Sequence, residues 1–239
     1  MCLSRLITAA AACIALQGGG SAIADSVTWH LPGEEAYLSA ADSLFGSDLG
    51  SSDQMWLEDF EDGLLNTPGV ASLSGGAVRE PGRGTDSVDG DGNGKIDGWG
   101  TGGSSFFEYN PNGASMEFSF DAEVLGGLPT FAGLVWTDGN AEAPVTFEAF
   151  DAQGASLGSF QATLGDGVHN SSTDADRLLG VEFARGISAI RISAAFGSLE
   201  IDHLQYGCTV MVPLPAPLGM GLAGLGIVTI VRRRRGGSQ

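Results

Sequence analysis

The residues best suited to chemistry form one short run, Asp89-Gly90-Asp91-Gly92-Asn93-Gly94-Lys95-Ile96-Asp97. Side-chain oxygens recur at every second position, and the intervening glycines let the backbone turn tightly around whatever those oxygens face. Oxygen-only ligands of this kind suit a hard divalent cation, calcium above all. The competing reading is a bare acidic, glycine-rich turn that stays in solvent.

A second set of carboxylates is available for acid–base work. Glu148 with Asp151, and Glu200 with Asp202, are pairs that a polysaccharide hydrolase would need about 5–10 Å apart in a cleft, with one pKa raised. In a chain with 29 acidic residues such pairs are common and weakly diagnostic. Gly154-Ala155-Ser156-Leu157-Gly158 has the spelling of a serine nucleophile elbow. The elbow requires a strand, a sharp turn and then a helix. Here a hairpin turn precedes Ser156 and a strand follows, so the context fails. His30, His169 and His203 are scattered, with His203 expected as a satisfied surface or seam residue on a strand, and no clustered His/Cys metal pattern exists. Trp56, Trp99, Phe106, Phe107, Tyr109 and Trp136 are candidates for a sugar-stacking platform. Trp99, flanked by glycines, is the better exposed candidate, and Trp136, after an apolar run, the better core one.

The acidic run resembles the first nine positions of the calcium loops of EF-hands and dockerins. That resemblance implies side-chain ligation by Asp89, Asp91, Asn93 and Asp97, backbone ligation by Lys95, the sharp turn at Gly94 and an anchor at Ile96. Position 12 is Gly100 where those loops carry a bidentate Glu, and no flanking helices are evident. A borrowed carboxylate, with Asp86 the candidate, would complete the set at a weak affinity of about 10⁻⁴ to 10⁻³ M.

The elements that must position these groups are strands. Short runs alternate apolar and polar residues with period two, as in Ser115–Phe120, Val145–Phe150, Ile187–Ile192 and Leu199–Leu204. Asn110-Pro111-Asn112-Gly113 and Asp151-Ala152-Gln153-Gly154 read as hairpin turns. Further strands are expected at Trp56–Phe60, Val70–Ser74, Ser105–Tyr109, Phe131–Thr137, Leu157–Leu164 and Leu179–Phe183. About ten short strands with regular turns predict an all-β, antiparallel β-sandwich over residues 54–208. A linker over 25–53 carries one credible helix, Glu34–Leu44. By analogy rather than periodicity, the sandwich is expected to be a jelly roll of galactose-binding-like topology.

Both ends of the chain read as addresses. Arg5, the apolar stretch Leu6–Leu16 and Ala22-Ile23-Ala24 form a signal peptide over 1–24, cleaved before Asp25. Residues 218–231 are fourteen uncharged residues, about 21 Å of helix, short for a bilayer core but closable by arginine snorkelling or local thinning. Arg232, Arg233, Arg234 and Arg235 then place the C-terminus in the cytoplasm. Between these ends, residues 25–211 hold all 29 acidic residues and six basic ones, a net of −23. That excess argues against nucleic acid and anionic lipid as partners of this part. Cys208 is the one cysteine that survives removal of residues 1–24, which leaves it no intramolecular partner.

Val212-Pro213-Leu214-Pro215-Ala216, followed by the Gly/Leu-rich span and the arginine cluster, resembles the VPLPA variety of PEP-CTERM sorting signals of exported bacterial proteins. The resemblance implies that Val212 to Ala216 are recognised by an exosortase-type protease, that 218–231 is a transmembrane helix, and that Arg232–Arg235 is the stop, within a sorting segment over 212–235. Leu214 stands where that family usually has Glu, which leaves the particular sorting enzyme open. Phe60–Val70, Asp86–Asp89, Gly133–Gly139 and Ile201–Gly207 are similar to a recurrent ectodomain of such proteins, a group without a settled activity. Two functions follow as expectations. One is a non-catalytic exported protein of the cell surface or extracellular matrix, calcium-stiffened, that binds or structures polysaccharide; the other is a secreted polysaccharide hydrolase.

Overall fold

In a computed structural model the described residues are 26–44, 55–88, 102–139, 143–165 and 173–208. The chain divides into two units, 1–209 and 210–239. The signal peptide, the Asp89–Asp97 run, Trp99, the Val212–Ala216 motif, the 218–231 span and the terminal arginines lie outside the described residues. Among the described residues no helix is long and apolar enough to cross a membrane.

The described chain is an all-β sandwich. Its strands are β1 (Val27–His30), β2 (Met55–Glu58), β3 (Val70–Ser74), β4 (Ala77–Arg79), β5 (Ser105–Asn110), β6 (Ser115–Phe120), β7 (Phe131–Gly139), β8 (Pro144–Asp151), β9 (Ser156–Thr163), β10 (Arg177–Phe183), β11 (Ile187–Ala194) and β12 (Gly197–Gly207). A seven-stranded sheet has the order β1-β10-β7-β12-β5-β4, with β2 also on β12; the other sheet runs β3-β6-β11-β8-β9. Every pairing is antiparallel. A single helical turn, α1 (Ala122–Leu125), is capped by the Asp121 carboxylate and ends at left-handed Gly126.

Period-two alternation turns one face of each sheet into the shared core. Met116, Phe118, Phe120, Val145, Phe147, Ile190 and Ile192 face Leu134, Trp136, Leu179, Val181, Leu199, Ile201, Leu204 and Tyr206. The two expected hairpin turns form: the Gly113 amide donates to the Asn110 carbonyl, and Asp151 Oδ1 accepts from the Gln153 and Ala155 amides.

Ten expected strands are present within a few residues of their predicted ends; β1 and β4 were not expected. The helix expected at Glu34–Leu44 is replaced by one 3₁₀ turn, Ala40–Asp42, in an otherwise irregular segment. Its Ser39/Asp42 capping box closes after three residues, and the segment instead hydrogen-bonds to Asp176 and to His203 and Gln205 of β12.

Phe118 is fully buried and touches the Phe106 ring edge-on at 5.2 Å. Phe118→Ala is expected to cost about 3–5 kcal/mol, measured as a lowered denaturant midpoint at unchanged slope.

Candidate functional site

β12 sits at the centre of the larger sheet and carries the residues that define the site. Leu199 and Ile201 point into the sandwich core, so Glu200 and Asp202 point outward. A bulge then intervenes. Asp202 pairs with Val135 and Gln205 with Gly133, so two residues of β12 oppose one of β7, and His203 takes the left-handed backbone with φ 43°. The extra residue reverses the alternation. Leu204 and Tyr206 return to the core, and His203 and Gln205 join Glu200 and Asp202 outside. All four outward side chains are nonetheless buried.

Two segments roof them. From the N-terminal side, the Tyr37 amide donates to the Asp176 carbonyl at 2.9 Å. The Tyr37 hydroxyl meets His203 Nδ1 at 3.2 Å and accepts from Gln205 Nε2 at 3.0 Å, while Ser43 Oγ donates to Gln205 Oε1 at 2.8 Å. If that hydroxyl donates to Nδ1, the His203 proton sits on Nε2. From the other side, the Asp86 amide donates to Glu200 Oε1 at 3.1 Å and the Val88 amide to Asp202 Oδ2 at 2.8 Å. Thr137 Oγ1 donates to the Asp86 carbonyl at 2.8 Å, and Ser105 Oγ to Glu200. Tyr37, Val88, Val135 and Leu178 add a small apolar cluster between roof and sheet.

The electrostatics follow from burial. Desolvation pushes Glu200 up to about 7, against the Ser105 hydroxyl, the Asp86 amide and the Arg79 guanidinium, which favour its charge. Asp202 is raised by desolvation despite accepting the Val88 and His203 amides. Asp176 is raised by desolvation and then by the charges of Asp86, Asp202 and Asp138. Desolvation lowers His203 to about 4, so its ring is neutral at neutral pH. Asp176 is fully buried, and neither carboxylate oxygen has a hydrogen-bond partner. Among the described residues no group of three His, Cys, Asp or Glu side chains is arranged to hold a metal ion by itself.

Beside the roof lies a hollow of about 590 Å³ lined by Trp29, His30, Leu31, Glu35, Tyr37 and Asp42 among others. His30 Nε2 contacts Glu182 Oε1 at 2.9 Å across the β1–β10 pair. Tyr37 belongs to both features: it lines the hollow and its hydroxyl anchors the buried histidine.

The residues singled out from the sequence fare unevenly. Glu200 and Asp202 share the outward face, but both are buried and held by backbone amides. Glu148 is engaged by Arg191 at 3.2 Å and by Ser156 at 2.7 Å, and Asp151 shapes its hairpin turn. Ser156 opens β9, so the elbow spelling has no elbow. His203 is buried under the roof rather than at a surface or seam. Among the described residues the aromatic candidates do not form one platform: Phe106 and Trp136 are core residues, Trp56 stacks on Tyr206, and Phe107 lies under Arg79, leaving Tyr109 exposed. Trp29, Tyr37 and Asp176 were not foreseen. A Tyr followed by a Ser39/Asp42 box was the available signal for the roof, and it read as a helix instead.

No protein-family model matches the chain, and no curated protein matches it. Among solved structures it is similar to the K1 cleaved adhesin domain of Lys-gingipain from Porphyromonas gingivalis, at 13% identity over 65% of this chain and 98% of that one, TM-score 0.37. It is also similar to TmCBM61 in complex with β-1,4-galactotriose, at 13% identity over 62% and 94%, TM-score 0.32. A third is the enzymatically active domain of bacteriophage CBA120 tailspike protein 4, at 15% identity over 69% of this chain and 21% of that one, TM-score 0.30. Likeness at this level carries no argument about activity or ligand, and the sandwich rests on this chain's own strand pairing.

The two shifted groups oppose each other in pH. His203 is held below its unfolded value, so its contribution is present above about pH 6.5 and lost as pH falls toward 4, about 3 kcal/mol in all. Glu200 is held above its unfolded value, so its contribution is present below about 4.5 and lost as pH rises through 7. In metal-free buffer, His203→Gln should therefore make stability fall more steeply from pH 4.5 to 6.5 than in the wild type. Glu200→Gln should tilt the curve the opposite way. Denaturant midpoints across that range check both signs.

Proposed function

We propose that this chain is an exported, non-catalytic protein of the cell surface or extracellular matrix whose sandwich binds or structures extracellular polysaccharide. The carrying observation is the hollow under the N-terminal segment. It combines the apolar Leu31, 61% exposed, the aromatic rings of His30 and Tyr37 and the exposed Glu35 in one concavity. Sugar rings present apolar faces ringed by hydroxyls, and they are held by such mixtures of aromatic surface and hydrogen-bond acceptors. The hydrolase reading lacks this support. Its two carboxylate pairs are either buried under the roof or occupied by Arg191, Ser156 and turn amides, which leaves neither pair free to reach a glycosidic oxygen.

In this reading the sandwich has a jelly-roll, galactose-binding-like topology. Calcium, held by Asp89, Asp91, Asn93, Asp97 and the backbone of Lys95, stiffens it outside the cell. Residues 1–24 direct export, 212–235 is a sorting segment read by an exosortase-type protease, and 218–231 anchors the chain in the membrane until processing.

A glycan array probed with the full chain, in calcium and in EDTA, tests the central part. Retention of at least one glycan class is expected, weakened at least tenfold by Glu35→Ala. No retained glycan in either buffer removes the reading. Sorting has its own check, since mass spectrometry of the mature protein from its native host should place the new C-terminus near Pro213. An intact Arg232–Arg235 cluster would instead make the tail a permanent anchor.

A further inference from the structure

We propose that Asp176 and Asp86 are two ligands of a divalent, oxygen-seeking cation of the calcium class, bound under the roof on the outer face of the larger sheet. The inference deepens the calcium part of the reading above by assigning ligands on the sandwich itself.

Two geometric facts bring the residues together. Arg177 pairs with Trp136 across the β10–β7 ladder, so Asp176 faces the next position of β7, which is Thr137. The Thr137 hydroxyl donates to the Asp86 carbonyl and fixes the roof segment at that same point. After desolvation, Asp86 is the strongest influence on the Asp176 carboxyl.

The second observation is independent of the acidic grouping. Asp176 is 0% exposed, yet both of its oxygens are without a hydrogen-bond donor. Two other carboxylates buried on the same face do find donors, Glu200 in Ser105 and Asp202 in Val88. The neighbouring Arg177 favours the ionised carboxyl through its charge but donates no hydrogen bond to it: Arg177 Nη1 donates to the main-chain carbonyls of Asp174 and Asp176 at 2.9 and 2.8 Å. Protonation alone would satisfy at most one of the two oxygens and leave the other bare. A hard cation satisfies both oxygens and offsets the charges of Asp86, Asp138 and Asp202 together. Calcium takes six to eight oxygens and readily mixes two carboxylates with backbone carbonyls and waters. That mixture accommodates the lack of a third described carboxylate in ligating position.

The test is the melting temperature of the full chain with 10 mM calcium chloride and with EDTA. A dissociation constant of about 10⁻⁴ to 10⁻³ M predicts a calcium-dependent rise of about 3–10 °C in the wild type. Asp176→Asn should cut that rise to half or less, while its melting temperature in EDTA equals or exceeds the wild type's because a repelling charge is gone. Asp86→Asn should act in the same way and serves as the readout if Asp176→Asn does not fold. A full rise retained in Asp176→Asn overturns the proposal. If the double variant Asp91→Asn/Asp97→Asn loses the rise while Asp176→Asn keeps it, calcium belongs to the acidic run alone, and the proposal also falls. A wild type without any rise overturns it too, while glycan retention on the array stands or falls separately.

Discussion

Buried carboxylates that accept main-chain amides hold this structure together. Residues 25–211 contain six cationic side chains for 29 acidic ones, so ion pairing cannot serve as the general means of burying charge. Backbone N–H groups take that role. Glu58 gathers the amides of Phe60, Asn66 and Thr67, and the Thr67 hydroxyl, and thereby shapes the loop after β2. Glu200 and Asp202 capture Asp86 and Val88 and pin the roof to the sheet. Each such bond is worth about 0.5–1.5 kcal/mol, rising to about 1.5–3 where the acceptor is charged, and removing the carboxylate would also strand a buried donor. Loops that would otherwise be free are thus tied to strands by acids.

The arrangement depends on the β12 bulge. Without the extra residue at His203, strict alternation from Ile201 would carry His203 and Gln205 into the core and turn Leu204 and Tyr206 out to the roof. With it, one strand supplies a continuous apolar face to the sandwich and four polar groups to the other side. β7 has a complementary irregularity, since Glu200 pairs with Asp138 but Ile201 with Trp136, leaving Thr137 unopposed and able to hold Asp86. The hollow is coupled to this layer through Tyr37, whose hydroxyl is held between His203 and Gln205. Anything that loosens the buried layer therefore loosens one wall of the hollow.

Much of the sandwich was legible because period-two alternation is a direct record of a half-buried sheet. Ser115–Phe120 and Val70–Ser74 were bounded to the residue. The omissions have physical causes. β1 and β4 are edge strands of four and three residues, too short for a periodic signal. Glu34–Leu44 has helix-compatible composition and a capping box, yet tertiary hydrogen bonds to Asp176 and Gln205 outweigh that local preference. The candidate site was harder. Glu200 and Asp202 were visible as a pair, but Leu199–Leu204 reads as an ordinary alternating strand, and a single-residue bulge leaves no trace in hydrophobic period. Burial of His203 follows from the roof, which the sequence does not announce. Asp176 could not be distinguished from its 28 fellow acids until the fold placed it.

The central claim is that residues 85–88 form a fixed roof through the carboxylates of β12, and main-chain amide exchange tests it most directly. In metal-free buffer at pH 7, the account predicts that the Asp86 and Val88 amides exchange as slowly as those of β7 and β12 at the sheet centre. It further predicts that Asp202→Ala releases Val88 while leaving the protection of Phe118 and Ile190 in place. Exchange of Val88 at the rate of an open loop in the wild type would contradict the account.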